Sequence, residues 1–127
     1  MTTFKQPYFP PPIPPMAPPP TLTAKGAGGR QYELQLHPIG TAYFDRSGVY
    51  IFVKRAANGA WDAVYIGETG SFKRRLTDEL QLHHQWPGFI THGATHIATL
   101  HVPGGLAPRE GIETDLRGAI QTPCNRQ

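Results

Sequence analysis

At 127 residues the chain has room for one domain, and its formal charge of +3, with a pI near 9.2, suits a polyanionic partner without demanding one. A single cysteine, Cys124, excludes an intramolecular disulfide framework and fits a reducing compartment. No uninterrupted apolar stretch has the length of a signal peptide or membrane span, so a cytoplasmic protein with no membrane partner is expected.

Nine of the fourteen prolines fall in the first twenty residues. Proline lacks an amide hydrogen and fixes φ, which predicts polyproline II or disorder there, joined to the rest by Gly26-Ala27-Gly28-Gly29. Residues 1–28 are therefore read as a tail and linker, either a plain spacer or an arm that recruits a protein partner, and 29–127 as the folded domain. Gln31 to Leu36 alternates polar and apolar residues, the pattern of a half-exposed strand at a sheet edge.

The run Val49-Tyr50-Ile51-Phe52-Val53, the Asn58-Gly59 turn signal and the stretch from Trp61 to Gly67 predict a β-hairpin. Phe72, Leu76 and Leu80 recur every four residues and predict an amphipathic helix, capped by Ser71, continuing through Leu82 and stopped by Pro87-Gly88. Thr95 to Val102 alternates again and reads as a third core strand. Pro108 opens a last helix whose apolar face holds Ile112, Leu116, Ala119 and Ile120, and Pro123 ends it. The expected class is α+β, an α/β-like sandwich: a small antiparallel sheet of about three strands flanked by helices.

Gly48-Val49-Tyr50, Tyr65-Ile66-Gly67, Arg75 on the first helix, Glu113 on the last and Asn125 after Pro123 together resemble the GIY-YIG endonuclease superfamily. The resemblance covers roughly residues 48–125, with little of it between Leu76 and Thr95. It implies the three-stranded GIY-YIG nuclease fold and Mg²⁺-dependent cleavage of DNA phosphodiesters, with Mn²⁺ as a substitute. It also implies a catalytic set of Tyr50, Tyr65, Arg75 and Glu113, Glu113 being the metal ligand, with Asn125 closing the site structurally alongside Gly48 and Gly67.

These residue types suit the chemistry. Arg75 is always charged and offers a planar donor fork matched to phosphate oxygens, and Glu113 offers the single hard carboxylate with which Mg²⁺ commonly binds. Tyr50 is expected to take a proton from the attacking water if a nearby cation lowers its phenol, and Tyr65 to orient water or phosphate. Lys73, Arg74, His83 and His84 are candidate substrate contacts; either histidine could instead act as an auxiliary acid or base, or simply be exposed.

Each residue has an ordinary structural explanation. Tyrosines are common in strands, Arg74 and Arg75 could be a solvated helix face, and Arg109, Glu113 and Arg117 are spaced for exposed ion pairs. The joint occurrence of five elements in order favours the site. His83, His84, His92, His96, His101 and Cys124 lack the paired spacing of a structural zinc centre. Glu68 departs from the lysine that several superfamily members carry after the second motif, which would repel phosphate unless offset. The reading is a DNA endonuclease; the alternatives are an inactive nucleic-acid-binding module and an adaptor working through the proline-rich arm.

Overall fold

The computed structural model describes residues 19–125. The proline-rich segment 1–18, with the polyproline and partner-arm expectations attached to it, lies outside the described residues.

The expected three-stranded sheet between helices is overturned. The chain forms a curled half-barrel of five antiparallel strands, in the order β1-β2-β5-β3-β4, with little helix. The strands are β1 (Thr21–Lys25), β2 (Gln31–Pro38), β3 (Gly48–Arg55), β4 (Trp61–Thr69) and β5 (His96–His101). Two α-helices, α1 (Trp86–Thr91) and α2 (Leu106–Ala119), are joined by a π-helical turn (Lys73–Asp78) and two 3₁₀ turns (Leu80–Leu82 and Pro123–Asn125).

The two additional positions in the sheet have a common origin. Thr21–Lys25, read as linker, pairs along its whole length with Gln31–Gln35, and Gly26 to Gly29 makes the hairpin turn, Gly29 adopting φ +92°. The adjoining prolines and glycines hide this strand in the sequence. With β1 outside it, β2 becomes an interior strand between β1 and β5. Its period of two survives, with Tyr32, Leu34 and Leu36 buried and Gln31, Glu33 and Gln35 exposed.

The hairpin β3–β4 forms as its turn residues predict, but β3 is inserted between β4 and β5 and is buried on both faces. Val49, Ile51 and Val53 pack with Leu34, Leu36, Ile66, Ala98 and Leu116 on one side. Tyr50 and Phe52 pack with Val64, Leu76, Phe89 and Ile97 on the other. A bulge sits within this pair: Phe52 opposes Tyr65 while Val53 opposes Ala63, so Val64 is the extra residue. The bulge resets the side-chain phase, placing Tyr65 on the Tyr50 face and Ile66 on the opposite one.

The helical expectations hold in position more than in form. Phe72, Leu76 and Leu80 are all buried, and the Ser71 hydroxyl accepts the Arg74 amide at 3.1 Å. The turn they ride on is widened, the Glu79 amide donating to the Arg74 carbonyl five residues back at 2.8 Å. Pro87-Gly88 opens α1 instead of stopping a helix, since proline is tolerated in a first turn. In α2, Leu116 is buried and Ile112 and Ile120 pack against the core, whereas Ala119 is exposed. No helix among the described residues is long and apolar enough to cross a membrane.

Gly48 opens β3 where any side chain would collide with backbone. A Cβ there would fall 2.0 Å from the Leu100 carbonyl oxygen and 2.5 Å from the Phe72 ring. Gly48→Ala is expected to cost about 3 kcal/mol, because the neighbouring strand cannot yield as a side chain would. Gly111→Ala in α2, where a Cβ meets nothing within 4 Å, is expected to stabilise by up to about 1 kcal/mol. Urea denaturation of the two variants beside the parent checks both signs.

Candidate active site

Tyr50 and Gly67 face each other across β3 and β4. The Tyr50 ring lies over Gly67, where a Cβ would fall 2.6 Å from the phenol oxygen and 2.8 Å from Tyr65. Both motif glycines are thus spaces into which aromatic rings and backbone fit. Tyr65 stands beside this contact, its ring centroid 6.0 Å from that of Tyr50, and is half-buried where Tyr50 is only 1% exposed.

His83 joins the two tyrosines. It is 2% exposed, and its Nε2 is 3.0 Å from the Tyr50 hydroxyl oxygen. Its Nδ1 accepts the Gln85 amide at 3.0 Å, which leaves Nε2 as the protonated nitrogen of the neutral ring. His83 therefore donates to Tyr50, and the Tyr50 proton remains for donation elsewhere. Burial, with Arg75 and His84 nearby, pushes His83 down to about 4, so it is neutral at pH 7. His84 is exposed and stacks on His83 at 4.7 Å.

Burial raises the Tyr50 phenol well above its ordinary value; Tyr65 adds to the shift and Arg75 opposes it. Tyr65 is raised too, first by burial and then by the Glu113 charge. This is opposite to the shift that a phenolate base needs at neutral pH. In the free protein Tyr50 is thus a hydrogen-bond donor, with Arg75 the cation that opposes the shift.

Arg75 is half-buried and lies close enough to act on Tyr50, Tyr65 and His83 together. None of the ion pairs among the described residues uses it. Lys73 and Arg74 differ: they pair with Asp78 at 2.8 Å and Glu79 at 3.2 Å. The five-residue offset of both pairs follows from the widened turn, and at exposed positions such pairs contribute little. Arg74 and Arg75 line a groove of about 540 Å³ with Glu68, Ser71 and Glu79.

Glu113 reaches the site from α2. Burial raises its carboxyl above the ordinary range despite Arg117, which lies 3.5 Å away one turn on. Glu68, the departure from the superfamily pattern, is neutralised by Arg109 at 2.8 Å, both side chains being largely buried. Arg109 and Arg117 were legible in the sequence only as helix-face charges. Arg117 keeps the helix partner its spacing indicated, Glu113, whereas the Arg109 partner depends on how α2 docks on β4.

Asn125 fastens the edge. Its Oδ1 accepts the Ile66 amide at 2.7 Å and its Nδ2 donates to the Ile66 carbonyl at 2.9 Å, so the backbone between Tyr65 and Gly67 is satisfied on its outer side. Thr122, which carries no motif signal, donates to the same Oδ1, and Arg117 donates to the Asn125 carbonyl at 3.4 Å.

The sheet and α2 thus bring Tyr50, Tyr65, Arg75, Glu113 and His83 together, while Lys73 and His84 stay at the periphery. Among the described residues no group of three or more His, Cys, Asp or Glu side chains is arranged to hold a metal ion. A comparison with known proteins found no matching family model, no matching curated protein and no matching solved structure.

His83 links the site to stability. Its value in the folded protein lies below that of an unfolded histidine, so the unfolded chain binds more protons between about pH 6.5 and 4. Stability is complete above that window and falls as the pH drops through it, by about 2 kcal/mol at pH 5. His83→Gln is expected to flatten this dependence, measured as urea midpoints at pH 7 and pH 5.

Proposed function

We propose that the chain is a metal-dependent DNA endonuclease of the GIY-YIG type, acting in the cytoplasm on phosphodiester bonds. The observation that carries this reading is the convergence of the β3–β4 hairpin with two further elements: Tyr50 and Tyr65 stand beside Gly67, and Arg75 from the widened turn and Glu113 from α2 both act on them. A purely structural role for each would leave no reason for a half-buried arginine without a carboxylate partner beside two buried phenols.

The chain's own groups divide the work. Arg75 presents its donor fork to phosphoryl oxygens and offsets the charge that grows on them as the bond breaks. Tyr50, held by His83 and still protonated, donates to a phosphate oxygen or orients the attacking water, and the more accessible Tyr65 does the same from the adjoining side. Their phenols are protonated at neutral pH, as a free phenol is, and burial reinforces this.

Glu113 fits a Mg²⁺ or Mn²⁺ ion. Its carboxylate is buried with less positive charge than it needs, as its raised value indicates, and a hard cation restores that balance. When bound, the ion supplies Lewis-acid stabilisation of the phosphoryl group and a more acidic water. Arg109 keeps Glu68 from repelling the phosphate, which supports the reading despite that residue.

Supercoiled plasmid incubated with Mg²⁺ is expected to be nicked, and chelator to abolish the nicking. Arg75→Ala and Glu113→Ala are each expected to lower the rate by about 100-fold or more while circular dichroism and urea midpoints stay near the parent. Undiminished cutting by either variant would remove that residue from the site. Salt-dependent DNA binding without cutting would return the chain to a binding module.

A further inference from the structure

A second concave site lies on the Tyr50 face of the sheet. Tyr50 on β3, Thr99 on β5 and Gln35 on β2 stand opposite one another, so a single row of side chains leaves the catalytic cluster and crosses two strands, roughly 10 Å. The far end of that row is the floor of a cleft of about 510 Å³, which the loop from Ile39 to Ser47 walls in. This size lies within the range of small-molecule sites. The cleft exists because β2 is an interior strand carried by β1; a three-stranded sheet has no such floor.

The lining has a definite chemistry. Gln35, Glu33 and Thr99 offer amide, carboxylate and hydroxyl groups along the floor. Phe44 and Tyr43 stand at the wall, Phe44 being 78% exposed with the Arg46 guanidinium 5.5 Å from its ring centre. The Tyr43 hydroxyl is the one buried side-chain polar atom among the described residues without a hydrogen-bond partner. The Tyr43 ring packs against His37 and Phe72 within the wall.

The wall is also tied to the catalytic arginine. The Thr77 hydroxyl accepts the Tyr43 amide at 3.0 Å and donates to the Thr41 carbonyl at 3.2 Å, and the Phe72 amide donates to the Arg46 carbonyl at 2.7 Å. Thr77 and Phe72 bracket Arg75 in the chain. The cleft and Arg75 are therefore mounted on one turn.

We infer that this cleft receives an unpaired nucleobase of the DNA next to the bond that is cut. An aromatic platform with an adjacent guanidinium suits a stacked base and its phosphate. Floor groups that both donate and accept suit the edge of a base freed from its pair. A simple apolar ligand would make no use of the Glu33 and Gln35 side chains. The choice of DNA over a free nucleotide rests on the nuclease reading; the recognition of a base does not.

The test is fluorescence anisotropy in chelator, so that no cutting is needed. The full chain is titrated with a paired duplex, the same duplex carrying one extra unpaired base, and the same duplex with an abasic residue at that position. The unpaired base is expected to bind roughly 5- to 100-fold tighter than the abasic control. Phe44→Ala and Gln35→Ala, both at exposed positions, are expected to remove that margin and leave paired-duplex affinity unchanged. Equal binding of the three duplexes overturns the inference, as does a margin that survives both substitutions. Tight binding of a free deoxynucleoside monophosphate without a margin in DNA overturns the assignment to DNA. A margin without plasmid nicking refutes the nuclease reading alone, and nicking without a margin refutes the cleft alone.

Discussion

The packing of the Tyr50 ring onto Gly67 is the contact on which the candidate site depends. It requires a residue without a side chain on β4, a ring on β3, and a strand register that sets them opposite each other. Given that register, Tyr65 is brought alongside, and His83 lies within hydrogen-bond distance of the Tyr50 oxygen. Changing the register by one residue would send Tyr50 to the opposite face and dissolve the cluster.

The surrounding structure holds that register from several directions. The bulge at Val64 turns β4 so that Tyr65 and Ile66 face opposite cores, and Asn125 occupies the outer edge of Ile66 with both halves of its amide. On the opposite side, β5 supplies the Leu100 carbonyl that lies against Gly48. The backbone around Ile66 is satisfied locally, and Tyr50 and His83 are buried beside it. Burial is the first cause of both the raised phenols and the neutral histidine.

Electrostatics at the site follows from which charges find partners. Lys73 and Arg74 are satisfied by Asp78 and Glu79 on their own turn, and Arg109 by Glu68 across the α2–β4 contact. Arg75 has no such carboxylate, and Glu113 has Arg117 only at the limit of an ion pair. Arg75 and Glu113 both act on the two tyrosines, with opposite signs. The additional strands extend the same face outward and floor the cleft beside β2.

The local sequence determined the elements whose causes are local. Asn58-Gly59 favours the hairpin turn, alternation marks β2 and β5, apolar residues four apart select Phe72, Leu76 and Leu80 for burial, and the two glycine-flanked tyrosine motifs with Arg75 and Glu113 name the site. The tertiary structure alone decided what depends on distant partners. Thr21–Lys25 is too short and too close to proline and glycine to signal a strand, and becomes one because β2 offers it an edge. The sheet therefore has five strands, where the sequence marked three for the centre and one for the edge. The widened turn after Ser71 has no signature that separates it from an α-helix, and it sends Lys73 and Arg74 to acidic partners. His83 was one of two adjacent histidines until folding buried it against Tyr50 and left His84 outside. The direction of the Tyr50 shift likewise came from burial, which a sequence does not display, because desolvation depends on everything packed around the phenol.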